Sequence, residues 1–239
     1  MEIYFCKKSI TLSSKETNEL YEITIECKLA LLEAIKIAFC PEFEKLISIA
    51  KSGIIGEIKD VEACFTKLVE DDTRELNYKE VGGSVTELSS YPLLAIIKLL
   101  GKPENVEFYS YIDKEKKIDL YTKILLKYQN GITPIAKVGL GVKSEGELII
   151  SGTKGYIHVS SPWWKTEYFE LRFEDFSKNK KYFYPFQGDG LRYEIAEFLN
   201  MINQDKQETY KLKSIESKII NEIINEIIEE FIITREKNG

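Results

Sequence analysis

The sequence predicts an α+β protein: a large, mostly antiparallel open sheet with helices on one face, preceded by the closing part of an α/β layer. Three observations predict it. Seven strand candidates follow one another between residues 104 and 185, joined by short turn signals such as Gln129-Asn130-Gly131 and Thr153-Lys154-Gly155, and hairpin-length connections make neighbouring strands antiparallel. The first 53 residues run helix, strand, helix. The last long segment carries an apolar stripe at helical spacing, so one of its faces needs covering.

In chain order, Ser13-Ser14-Lys15-Glu16 has capping-box form and opens a helix to about Ile25. Residues Leu29 to Phe39, "LALLEAIKIAF", read as a largely buried strand. Pro41 then starts a helix that Gly53 closes, following the preference for proline at the first helical position and glycine just past the end. Residues 57 to 69 are strand-like, a polar loop follows, and residues 85 to 101 read as one helix ended by Gly101-Lys102-Pro103. The remaining strand candidates are 104 to 112, 118 to 128, 132 to 142, 146 to 151, 155 to 159, 166 to 174 and 180 to 185. Helices are expected at about 190 to 203 and 213 to 235. In the second, Ile215, Ile219, Ile220, Ile223, Ile224, Ile227, Ile228 and Phe231 form one face, with Glu222, Asn225, Glu226, Glu229 and Glu230 on the other. The pattern lasts only about three heptads, so it reads as a helix packed on the sheet and not as a coiled coil.

Composition narrows the function. Of the 239 residues, 44% are hydrophobic, enough for a substantial core. The 33 Lys and Arg against 39 Asp and Glu leave a net charge of −6, so no overall positive field gathers nucleic acid or an anionic membrane. The longest apolar run, Leu93 to Leu100, is interrupted by Lys98 and falls well short of the roughly 20 residues a spanning helix needs. Cys6, Cys27, Cys40 and Cys64 lack metal-type spacing and read as reduced thiols of a cytoplasmic protein with buried structural roles. His158 is the only histidine, which argues against a metal site or a Ser/His triad and leaves it a sheet residue. Trp163-Trp164 offer stacking surface for a sugar ring or, more ordinarily, core packing.

Four stretches, "LLEAIKIAFCPEFEKLISIAKSGIIGEI", "GGSVTELSSYPLLAIIKLLG", "LIISGTKGYIHVSSPWW" and "GDGLRYEIAEFLNMI", resemble in order and spacing the landmarks of the Gfo/Idh/MocA oxidoreductases, the family of glucose-fructose oxidoreductase, inositol 2-dehydrogenase and dimeric dihydrodiol dehydrogenase. The resemblance implies residues 1–40 as the C-terminal remnant of a Rossmann dinucleotide-binding domain and 41–239 as the family's C-terminal α/β domain. It implies NAD or NADP as cofactor. Yet the only Gly-x-Gly pairs, Gly139/Gly141 and Gly188/Gly190, have Ser144 and Tyr193 where the third fingerprint glycine belongs. The expectation is therefore a truncated dehydrogenase whose cofactor half is missing.

The resemblance also implies three site residues. Lys8, in Lys7-Lys8-Ser9, matches the lysine of the family's Glu-Lys-Pro motif, with Lys7 replacing the glutamate and Ser9 the proline. It stands as the catalytic lysine that also borders the nicotinamide. Glu87 and Tyr91, which follow Gly82-Gly83, match the family's acid and its His or Tyr. Their spacing of four puts both on one helix face, where a carboxylate can orient a phenol. The adjacent Lys7 ammonium is expected to lower the Lys8 pKa, and Lys8 that of Tyr91. In "AIKIAFCP", Phe39 and Pro41 match the family while Lys36 and Ala38 replace a tryptophan and an arginine of some members. Aromatics such as Phe108, Tyr109, Tyr111, Tyr121 and Tyr128 put ring surface on both sheet faces, and the family's subunits meet through the open face.

Two readings follow. One is an NAD(P)-dependent oxidoreductase acting on a sugar, polyol or diol hydroxyl with help from a separate dinucleotide-binding chain. The other is a non-catalytic, self-associating module or gene remnant, which the changes at Lys7, Ser9 and Glu87 favour. Neither involves nucleic acid or a membrane.

Overall fold

The computed structural model describes residues 3–71, 73–77 and 81–237. Its elements run β1 (Ile3–Lys7), α1 (Ser14–Glu26), β2 (Ala30–Ala34), α2 (Pro41–Lys51), β3 (Ile58–Thr66), α3 (Ser84–Leu88) and α4 (Ser90–Leu100). Then follow β4 (Asn105–Asp113), β5 (Ile118–Lys127), β6 (Ile135–Gly139), β7 (Leu148–Gly152), β8 (Tyr156–Val159), β9 (Tyr168–Arg172), β10 (Lys180–Phe183), α5 (Leu191–Asn203) and α6 (Ser214–Lys237). Residues 72 and 78–80 of the polar loop after β3 lie outside the described residues.

Strands β3 to β10 form one eight-stranded sheet in the order β10-β9-β8-β7-β3-β6-β5-β4. Every neighbouring pair is antiparallel except β3 with β6. The expected mostly antiparallel sheet is thus present, and the single parallel pair arises because the α3–α4 crossover and the β4–β5 hairpin separate β3 from β6. Alternate residues such as Val61, Ala63, Ile124, Leu126, Ala136, Val138, Ile150 and Ile157 are buried, on the face where α3 and α4 pack against β3, β5 and β6. Glu62, Lys123, Lys137, His158 and Glu170 are in register on the other face. Strands β1 and β2 form a separate two-stranded parallel sheet, touched by α1 at β2 and by α5 at β1.

Three expectations change. The continuous strand over 29–39 stops at Ala34, and Lys36–Phe39 coil into a 3-10 turn closed by Ala38 N–H to Ile35 O and Cys40 N–H to Ile37 O. Both halves are buried, so the apolar run hides the break. The single helix over 85–101 divides at Ser89, where Pro92 has no N–H to give the Leu88 carbonyl and its ring crowds that group. Helix α6 packs mainly on α4 and α1, meeting the sheet through Phe231 edge-on to Phe108 at 5.5 Å. Its Asn225, assigned to the solvent face, is buried and accepts the Ser14 N–H at 2.9 Å.

The two glycines before α3 fix its place. A Cβ on Gly82 would stand 2.4 Å from the Glu75 carbonyl oxygen, and one on Gly83, where φ is +135°, 2.4 Å from Asp119 Oδ1. Gly83 has no side chain to cap the helix, so Asp119 of β5 does so from across the core: its Oδ2 accepts the Val85 N–H at 3.0 Å and the Thr122 hydroxyl at 2.8 Å.

Candidate active site

Lys8 lies just past β1, where the parallel ladder with β2 ends, and the Lys8–Ser9 peptide is cis. Its Nζ donates to the Glu87 carbonyl at 2.5 Å and stands 5.2 Å from the centre of the Tyr91 ring. The three residues expected to share a site therefore do meet. Their arrangement within it differs from the expectation.

Burial pushes the Lys8 amine down to about 8, from the usual 10.5. Glu87 and Glu33 oppose that shift, and Lys7 and Arg74 add to it less strongly. Desolvation, not the neighbouring Lys7, is thus the main cause. The residue as a whole is half-buried; its partly accessible stem leads to a crowded ammonium, and the ammonium sets the proton affinity.

Glu87 contributes its backbone to Lys8. Its carboxylate turns away and takes the Arg74 Nη2 at 2.7 Å. The break at Ser89 puts Glu87 on α3 and Tyr91 on α4, so the shared helix face implied by their spacing does not form. Tyr91 is 7% exposed, and burial raises its phenol pKa, helped by Glu194 and Cys40. Lys8 is not among the groups that shift it, although its ammonium stands over the ring face.

Two buried acids at this site escaped the sequence reading. Glu194, in the first turn of α5, is 3% exposed and its carboxyl is pushed up to about 7, first by burial and then by Asp189, against the pull of Lys36 and Lys8. Glu33 of β2, 1% exposed, is also raised by burial. Each had a signal: an acid within the otherwise apolar "LALLEAI", and an acid one turn after Gly190, where the chain enters α5. Lys36 comes against the same turn, since a Cβ on Gly190 would lie 3.2 Å from its Cδ.

Aromatic rings wall one side. Trp164 stacks on Phe65 at 3.9 Å, and Phe65 meets Tyr91 edge-on at 5.4 Å. Trp163 is core, fully buried and donating its Nε1–H to the Cys64 carbonyl at 2.8 Å. Cys40 and Cys64 are buried as expected, with Cys40 pushed up to about 12 by burial, while Cys27 is exposed and Cys6 half-exposed. His158 is a β8 residue paired with Glu147 at 2.9 Å. Among the described residues no three His, Cys, Asp or Glu side chains gather to hold a metal ion, and no helix is long and apolar enough to cross a membrane.

A dinucleotide's pyrophosphate does not fit the glycines present. Cβ atoms on Gly139 and Gly141 would meet Tyr121 at 2.7 Å and Leu120 at 2.9 Å, so both serve close packing beside β5. Gly188 and Gly190 do precede a helix, but Asp189 Oδ1 already accepts the Leu191 N–H there at 3.1 Å and places a carboxylate where phosphate would bind.

A family model described as the GFO/IDH/MocA C-terminal domain matches residues 43–158. The trans-1,2-dihydrobenzene-1,2-diol dehydrogenase of Sus scrofa is 28% identical over 163 residues, covering 66% of this chain and 48% of that protein. Its Macaca fascicularis counterpart is 24% identical over 224 residues, covering 90% and 66%. The chain thus spans about half to two thirds of these curated relatives. Among solved structures, a 3-ketoreductase from Actinomadura kijaniata in complex with NADP and TDP-benzene matches with a TM-score of 0.78 and 17% identity over 91% of this chain and 67% of that one. A levoglucosan dehydrogenase in complex with NADH and levoglucosan gives 0.79 and 13% over 95% and 71%. At these identities the structural likeness shows the fold.

Proposed function

We propose, from the match of residues 43–158 to the GFO/IDH/MocA C-terminal domain and the dihydrodiol dehydrogenase relatives, that this chain of the Gfo/Idh/MocA oxidoreductase family forms the substrate-side half of an NAD(P)-dependent dehydrogenase acting on a sugar, polyol or diol hydroxyl. The observation that carries the reading is the Lys8 amine, brought down to about 8 and held between the Glu87 carbonyl and the Tyr91 ring. An amine in that range exchanges protons near neutral pH, which an ordinary lysine does not. Tyr91, kept as a neutral phenol, is the second proton-bearing group, and Phe65 with Trp164 supplies a flat apolar wall for one face of the substrate. Glu87 holds the amine through its main chain. The nicotinamide, when bound, supplies or accepts the hydride.

Residues 1–40 are read as the closing part of the dinucleotide-binding unit, with the phosphate-binding strand and helix coming from polypeptide outside residues 1–239. β1 pairs only with β2 among the described residues, and the exposed Tyr4, Phe5, Ile195 and Leu199 border that edge with apolar surface. Titration of NADH and NADPH into the purified chain, followed by nicotinamide fluorescence, tests this. The proposal expects no saturable binding by these residues alone; micromolar saturable binding overturns the assignment of the phosphate site to another segment.

A second reading, self-association through the open sheet face, is favoured by the exposure there of Tyr109, Tyr111 and Phe183 at 64%, 62% and 72%. Such rings on an uncovered face suit a homo-oligomer contact with or without catalysis. Cytoplasmic residence fits either reading.

A further inference from the structure

Glu33 interrupts β2 with a carboxylate where its strand neighbours are alanine and leucine. The parallel register sets it opposite Cys6, two residues before Lys8. Its Oε1 accepts the Ile10 N–H at 3.1 Å, so the carboxylate grips the far side of the turn that carries Lys8. From α6, Asn221 Nδ2 stands 3.4 Å from both carboxylate oxygens while donating to the Ser217 carbonyl at 3.0 Å. A carbonyl can only accept, so that bond fixes the amide with its NH2 towards Glu33 and its Oδ1, which has no partner, turned away. The Ser217 side chain lies beside the same carboxylate, its hydroxyl short of full hydrogen-bond geometry. Against the burial that raises the Glu33 pKa, the Ile10 N–H and the Asn221 NH2 can only donate to it, which favours its carboxylate form.

Five charged groups face the Lys8 amine: Lys7 from β1, Glu33 from β2, Arg74 from the turn over 74–76, Glu87 from α3 and Glu194 from α5. The Glu87 carboxylate is engaged by Arg74. Glu33 is tied to the Lys8 turn itself.

We propose that Glu33 is the positioning residue of the Lys8 amine: an ionised, buried carboxylate, held by the Ile10 amide and by Asn221 of α6, that fixes the Lys8 turn and supplies the counter-charge for its ammonium. The proposal rests on the reading of Lys8 as the proton-handling amine, and adds that the C-terminal helix reaches that amine through Asn221 and Glu33. Burial works against both charges, so each keeps the other ionised, and removing either alters the proton affinity of the one that remains.

The test is an NMR titration of the full chain after reductive dimethylation of its lysines with 13C-formaldehyde, with the Lys8 signal assigned by its loss in Lys8→Arg. In Glu33→Gln, which keeps shape and an acceptor for Ile10, the Lys8 midpoint is expected to fall by about one pH unit, a tenfold loss of proton affinity. Glu33→Asp should recover part of it. Asn221→Leu, which removes a donor from Glu33 without touching Lys8, should lower the midpoint in the same direction. A folded Glu33→Gln with an unchanged midpoint overturns the proposal and leaves Glu33 a structural anchor. Should Glu33→Gln not fold, an unchanged midpoint in Asn221→Leu overturns it equally. No cofactor or substrate enters the measurement, so a cofactor-binding complex without turnover would refute the dehydrogenase reading, while a Lys8 midpoint that still shifts in Glu33→Gln leaves this one standing.

Discussion

Lys8 weakens the fold at neutral pH. Its folded pKa, about 8, lies below the usual 10.5, so between those values the unfolded chain binds more protons. Stability therefore rises with pH across that window, and the penalty is complete below about 8. In thermal melts the parent should therefore gain stability between about pH 8 and pH 10.5, a rise that Lys8→Met should lack whatever its absolute Tm. Glu194 has the opposite sign. Its carboxyl, raised to about 7 from 4.5, binds more protons when folded, so stability falls as pH rises through that interval. Glu194→Gln should gain on the parent between pH 5 and pH 8 in the same melts. Glu87→Ala keeps the carbonyl that holds Lys8 and loses only the half-exposed pair with Arg74, so urea unfolding should show a change of ~0–1 kcal/mol.

At the scale of elements, α3 depends on the two glycines before it. Gly83→Ala would drive a Cβ against Asp119, the group that caps α3, at a φ unfavourable for alanine; the expected loss is ~1–3 kcal/mol in chemical denaturation. Ile220, fully buried on α6, should lose ~2–5 kcal/mol on change to alanine. Most of these elements were legible in the sequence because period-2 and period-3.6 patterns report burial directly: β4 to β10, α5 and α6 lie close to where alternation, turn residues and the isoleucine stripe put them. The failures fell where burial is uniform. Residues 29–39 are apolar whether strand or 3-10 turn, and Pro92, three residues into α4, hid the break between Glu87 and Tyr91. The site was half legible. Motif order brought Lys8, Glu87 and Tyr91 together, but Glu33 and Glu194 are acids whose meaning depends on long-range neighbours, which no local pattern encodes.

At the scale of the molecule, a helix-backed eight-stranded sheet is joined to a two-stranded parallel fragment, with Lys8 at their junction. Helix α6 spans that junction, packing on α4 and α1 and holding the Ser14 amide through Asn225. Lys8 and Tyr91 thus meet where the two-stranded sheet joins the rest of the fold, so disturbing either side should misplace the amine. The account's central claim is that Lys8 and Tyr91 handle the proton of a hydroxyl oxidation. The most direct measurement is NAD(P)-dependent turnover of a panel of sugars, polyols and diols by this chain complemented with a dinucleotide-binding segment, compared with Tyr91→Phe and Lys8→Met in the same complex. The account predicts turnover that drops by ~10²–10⁴ in each variant, as loss of a general acid or base does. Turnover undiminished by both substitutions, or none in a complex shown to bind the cofactor, would contradict it.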